Sequence, residues 1–159
     1  MRSKELLLAV KEHILENVKD FSEINLQVFI HNLPVREVSE NDSLFPFVII
    51  RFDEKKLEED YTEDTLVLAL GVSETADQEK AGLLLATLHD VLFELFYKKR
   101  IAGSFFEALL PLKAKQVEPE KKWHDFHFSS MEITFSYNTL PSRPLGEGYE
   151  NEKIRLGKA

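Results

Sequence analysis

A chain of 159 residues with a formal charge of −8 and no cysteine is long enough for one domain that buries roughly 70% of its unfolded surface without a metal or disulfide. The missing thiols exclude disulfides, thiolate metal sites and a cysteine nucleophile, and the interspersed acidity argues against sequence-specific nucleic-acid binding, which needs a basic surface. No apolar run approaches the ~20 residues that span a membrane.

Residues 4–19 read as an amphipathic helix. Leu6, Leu7, Val10, Ile14, Leu15 and Val18 recur at helical spacing, and Ser3 is placed to cap it. Arg2 and Lys4 precede a short apolar run that resembles a leader peptide, but Lys11, Glu12 and His13 interrupt it and no small-residue cleavage site follows. Residues 25–31 alternate, with Leu26, Val28 and Ile30 on one face, as in a half-buried strand. A polar loop follows at residues 36–43. Residues 45–52 form an apolar strand that tolerates Pro46 at its start.

The segment from Asp53 to Asp64 holds seven acids: Asp53, Glu54, Glu58, Glu59, Asp60, Glu63 and Asp64. It lacks the spacing and the glycine of a calcium loop. Its expected place is the solvated tip of an antiparallel hairpin between the strand before it and a second apolar strand at 66–72. A functional reading of the same acids is a charged surface that lines a channel or meets a partner.

Thr75-Ala76-Asp77-Gln78 is a capping box that opens a long helix to about Arg100. Leu84, Leu85, Leu88, Val91, Leu92, Leu95 and Phe96 give it a wide apolar stripe. Gly82 within its first turns costs about 1 kcal/mol against alanine, which close packing on the sheet would explain; Gly103 is the expected stop. Residues 105–117 are extended, with Pro111 confining them to an edge or a broken strand. Residues 123–137 form the last strand. Phe126 and Phe128 share one face, whereas Met131, Ile133, Phe135 and Tyr137 share the other, and this change of phase predicts a bulge near Ser129 and Ser130. From residue 142 the chain reads as a flexible arm, which leaves residues 1–141 as one α+β domain: a mixed or antiparallel sheet of four to five strands packed by the N-terminal helix and the long central one.

Candidate chemistry along this chain is sparse. His124 and His127 point to opposite faces of a strand and have no third partner at helical spacing, so no metal is assigned. No Gly-x-Ser-x-Gly or phosphate-binding loop occurs. His31 and His89 suit ordinary hydrogen bonds. No catalytic residue and no cofactor site is expected. Twelve phenylalanines suit a filled core or apolar surface left for a partner.

The order of the pieces resembles the tail terminator, or tail completion, proteins of long-tailed bacteriophages and prophages. The resembling pieces are Phe45-Pro46-Phe47-Val48-Ile49-Ile50-Arg51, the strand ending Leu70-Gly71-Val72, the helix from Gln78 to Phe96, the extended Phe105-Phe106 segment to Leu112, and Trp123 to Tyr137 followed by Leu140-Pro141. The match covers roughly residues 40–141. The resemblance implies a virion structural protein without catalysis, assembled in the bacterial host cytoplasm. In that family subunits form a ring, commonly a hexamer, on the head-proximal end of the tail tube. The ring stops tube polymerisation, meets the head and neck connector proteins, and leaves a hole for the genome. The implied partners are therefore other copies of the chain, the tail tube protein and the neck proteins. The acids between Asp53 and Asp64 would then line the lumen or the rim. The long N-terminal helix and the C-terminal arm exceed the leaner members. Another head–tail connector, a tail-assembly component, or a bacterial α+β protein-interaction domain is the alternative reading.

Overall fold

A computed structural model describes residues 2–32, 46–73, 78–116 and 126–139. The polar loop, the Thr75 capping box, Trp123 to Asp125 and the arm all lie outside that set. Helix α1 spans Ser3–Asn17 and ends in a 3-10 turn, Val18–Asp20. Strand β1, Gln27–Ile30, is followed by β2, Phe47–Leu57, and β3, Tyr61–Ser73. Helix α2, Gln78–Lys98, precedes the short strands β4, Ile101–Ala102, and β5, Phe106–Ala108. Strands β6, Lys113–Gln116, and β7, Phe126–Asn138, are the last of the described elements.

The strands form one mixed, curled sheet in the order β1-β2-β3-β7-β5-β4, with β6 also pairing β7. Only β1 and β2 run parallel. The fold is α+β, as the pattern implies, but the sheet has seven strands rather than four or five. The difference arises at residues 101–117. Pro111 breaks the extended segment there, and its two halves pair separately with β7, at Phe135 to Ser136 and at Ser129 to Glu132. Pro111 itself lies between the two short strands and in neither, which suits a residue with no N–H to donate.

Alternation decides which side chains enter the core. On one face of the sheet Val48, Ile50, Leu66, Leu68, Leu70, Val72, Met131, Ile133 and Phe135 are all buried. Leu6, Val10 and Ile14 of α1 and Leu85, Leu88, Leu92, Leu95 and Phe96 of α2 complete that cluster. Each such side chain contributes about 1.5–3 kcal/mol. Both helices therefore belong to one layer over this face. Their C-terminal ends are tied together: His13 donates from Nε2 to the Lys99 carbonyl at 2.7 Å, and the Lys99 ammonium reaches Asn17 and Asp20, each at 2.9 Å.

Three local expectations are corrected. Ser3 does not cap α1; it is the first helical residue, the N-cap is Arg2, and no side chain caps the helix. The Ser3 hydroxyl instead donates to Asp64 at 3.4 Å. Gly82 does not touch the sheet, since a methyl group there would meet nothing within 4 Å. Strand β7 has no bulge either; its register with β3 runs unbroken from Phe126 to Asn138. The change of phase in its sequence is a change in which face is apolar. Phe128 packs on Phe47 across the far side of the sheet, with ring centroids 6.1 Å apart. The irregularity lies in β2, where Asp53 is the extra residue between Phe52 and Glu54.

Candidate functional site: the acidic hairpin and the cleft beside it

Strands β2 and β3 continue past the helix-covered core as a hairpin. Their pairing extends to Leu57 and Thr62, so the acidic segment is mostly strand, and only residues 58–60 connect the two arms. The turn closes with the Glu58 N–H donating to the Tyr61 carbonyl at 2.9 Å. The end of β7 holds it from below. Thr139 donates from its backbone N–H to the Asp60 carbonyl at 3.1 Å and from its hydroxyl to the Glu58 carbonyl at 3.0 Å. These bonds use backbone carbonyls, which leaves the carboxylates of Glu59 and Asp60 free to project.

Asp53, Glu54, Glu59 and Asp60 are exposed, and Glu58 and Glu63 are half-buried. Asp64 departs from the group. It has no exposed surface and belongs to the interior. The extra residue Asp53 shifts the alternation of β2, so that Lys55 lies opposite Asp64 on the core face. The Lys55 ammonium donates to Asp64 Oδ1 at 2.7 Å and to the Tyr137 hydroxyl at 2.9 Å, and that hydroxyl donates to Asp64 Oδ2 at 2.9 Å. Every member of this closed triangle is satisfied, as a buried ionic network requires. Burial alone lowers the Lys55 pKa, but Asp64 and Tyr137 outweigh it and hold the ammonium above the ordinary lysine value. Burial, then the bond to Asp64, raises the Tyr137 phenol, against the opposing pull of Lys55. The triangle is a rigid base for the hairpin.

On either side of that base along the hairpin, apolar groups face solvent. Phe52 is 42% exposed, Leu57 57% and Tyr61 38%. Phe52 and Leu57 lie on the helix-facing side, opposite Leu66 and Thr62, and Tyr61 lies on the other face, so both faces of the hairpin carry an apolar side chain within an acidic surround.

A cleft of about 340 Å³ opens at the same end of the sheet, where Arg2, Ile101, Phe105, Glu107, Tyr137 and Asn138 contribute to its lining. The Arg2 guanidinium lies over the Phe105 ring at 4.4 Å from its centroid. Arg2 Nε is buried without a hydrogen-bond partner among the described residues. The pattern of the sequence did not single out Lys55, Tyr137, Arg2 or Phe105. The register of Lys55 against Asp64 depends on a bulge that residue spacing does not reveal, and Arg2 meets Phe105 across a hundred residues of chain.

The histidines are placed differently from one another. His89 of α2 contacts the Ser129 hydroxyl of β7 through Nε2, while its Nδ1 is buried and has no partner among the described residues. Burial lowers its pKa. A serine beside a histidine whose second nitrogen meets no carboxylate lacks the orienting group of a triad. His127 lies on the helix-facing side of β7, with Nε2 likewise unpartnered among the described residues; His124 lies outside them. Among the described residues no group of three or more His, Asp or Glu is placed to hold a metal ion, and no helix is long and apolar enough to cross a membrane.

No family model and no curated protein matches the chain. Among solved structures, a protein that carries only a sequence identifier is similar over 89% of this chain and 100% of its own, with 11% identity and a TM-score of 0.55. A chain from the virion of a native gene transfer agent particle is similar over 84% of this chain and 95% of its own, with 11% identity and a TM-score of 0.44. At that identity the first likeness is one of fold, and the second, below a TM-score of 0.5, adds no argument to it.

Proposed function

We propose that this chain is a tail terminator of a long-tailed phage or prophage: a non-catalytic subunit that assembles into a ring on the head-proximal end of the tail tube. The observation that carries the reading is the hairpin. It extends a rigid sheet beyond its helix layer and presents Phe52, Leu57 and Tyr61 to solvent among exposed acids. A closed ring needs two different complementary surfaces on each subunit. The hairpin is one of them, with its base fixed by the Lys55–Asp64–Tyr137 triangle. The order of elements supports the same reading, because the strand pair, long helix, aromatic segment and final strand are the pieces that carry the family resemblance. The remaining acids of the hairpin then belong to the lumen or the rim, where negative charge repels the phosphates of passing DNA and leaves the genome free to slide.

The test is tail length. Co-expression with the tail tube and tape-measure proteins of the same phage or prophage is expected to give tubes of uniform length, each closed at one end by a ring in electron micrographs. Omission of the chain gives overlong tubes. Tube length that does not respond to the chain, or a gene neighbourhood without a tube protein, overturns the proposal.

A further inference from the structure

The geometry points to a specific contact within the ring: the acidic turn of one copy, at Glu58 to Asp60, docks in the Arg2–Phe105 cleft of the next. This inference rests on the ring reading above and names its subunit contact.

Two observations specify the occupant by charge. The cleft contains a cation held in place by stacking but not neutralised. Arg2 lies on Phe105 and makes no ion pair among the described residues, and its Nε is buried without a partner. A buried unpaired donor is costly until an acceptor arrives, and a guanidinium fork is matched by a carboxylate. Arg2 also stands at the start of α1, which has no side-chain cap, so the positive end of the helix dipole adds to the same field. Glu107 also lines the cleft. An occupant must therefore bring carboxylates for Arg2 and a cation for Glu107. The hairpin turn brings both. Glu59 and Asp60 are exposed, and Lys56, 60% exposed, is held only loosely to Glu58 at 3.7 Å.

The placement of the two surfaces fits a ring. Both lie at one end of the strands, since Thr139 lines the cleft and also bonds the turn. They are displaced sideways: the turn joins β2 and β3, and the cleft runs from the end of β7 across to β5 and β4. At about 4.8 Å per strand the centres of the two surfaces are roughly 12 Å apart. Complementary patches at one height allow rotation about an axis along the strands to close into a ring; two copies that exchange turns would stop at a dimer, which native mass spectrometry distinguishes by mass.

The absence of cysteine gives a direct test. Glu59→Cys protein and Ile101→Cys protein, each with one thiol, are mixed and oxidised. The expected product is the 59–101 heterodimer, in at least tenfold excess over either homodimer. Charge reversal supplies a second measurement, by native mass spectrometry of the assembly. Arg2→Glu alone and Glu59→Arg with Asp60→Arg each weaken assembly about tenfold or more, and the combined variant recovers it. Rings that form normally in all these variants, or that cross-link only between like positions, overturn this contact and leave the ring reading intact. A chain that neither cross-links nor assembles at any concentration, and does not alter tube length, overturns both.

Discussion

Phe47 and Gly71 are register partners on neighbouring strands. A Cβ added at Gly71 would lie 2.3 Å from the Phe47 ring. The glycine is needed because the phenylalanine lies flat over it and reaches Phe128 beyond, which is how the sheet face opposite the helices acquires its own apolar contact. Gly71→Ala is expected to cost about 1–3 kcal/mol, as overpacking does, read from the urea midpoint. Phe47→Leu combined with Gly71→Ala recovers part of that loss, because the two side chains compete for one space and their effects do not add. Equal losses in the single and double variants would place the cost in the backbone. Asp64 illustrates the same dependence on neighbours. Its type and spacing match the six other acids of the segment, yet it is the one sealed within the sheet, because the lysine opposite and the tyrosine beside it complete its hydrogen bonds.

At the scale of elements, the ends of α1 and α2 are joined by one histidine. His13 is 8% exposed, packs on Phe96 at 5.5 Å and donates to the Lys99 carbonyl. Burial is the main cause that lowers its pKa, with the carbonyl bond opposing, and His89 is shifted the same way by burial. A folded value below the unfolded one means that the fold prefers the neutral ring. Its contribution is present above the unfolded value of about 6.5 and is lost as the pH falls through the folded value. Denaturation midpoints are therefore expected to decline from pH 7 towards pH 5, and His13→Gln, which keeps a donor for the carbonyl, flattens that decline. An unchanged slope would assign it to His89. The existence of both helices was legible in the sequence because their stripes of leucine and valine repeat at 3.6 residues. The alternation in β1 was legible for the same reason. The bulge was not. Apolar residues change face within β7 because both faces of the sheet are packed at that end, and a one-dimensional pattern expresses a second packed face and an inserted residue in the same way. The true insertion, Asp53, falls among charged residues where no apolar phase marks it.

For the whole molecule the question is what the exposed apolar surface of the hairpin contributes. Leu57 and Tyr61 flank the acidic turn at the end of the sheet, 57% and 38% exposed. Side chains of this kind contribute little to folding, so replacing both by serine is expected to change the unfolding free energy by no more than about 0.5 kcal/mol each. In a subunit contact the same side chains are desolvated, and apolar anchors at the centre of an interface carry most of its energy. The acids around them set orientation and rate of encounter more than affinity. Leu57→Ser with Tyr61→Ser is therefore expected to keep the urea midpoint of the parent chain and to lose assembly, with sedimentation velocity showing monomer at concentrations where the parent forms rings. High salt separates the two contributions. It weakens the contact between the turn and Arg2, which is screened over about 3 Å at 1 M, and leaves the apolar anchors in place. A serine variant that assembles as the parent does would remove the hairpin from the interface, and one that unfolds would show that Leu57 and Tyr61 belong to the core that their exposure places them outside.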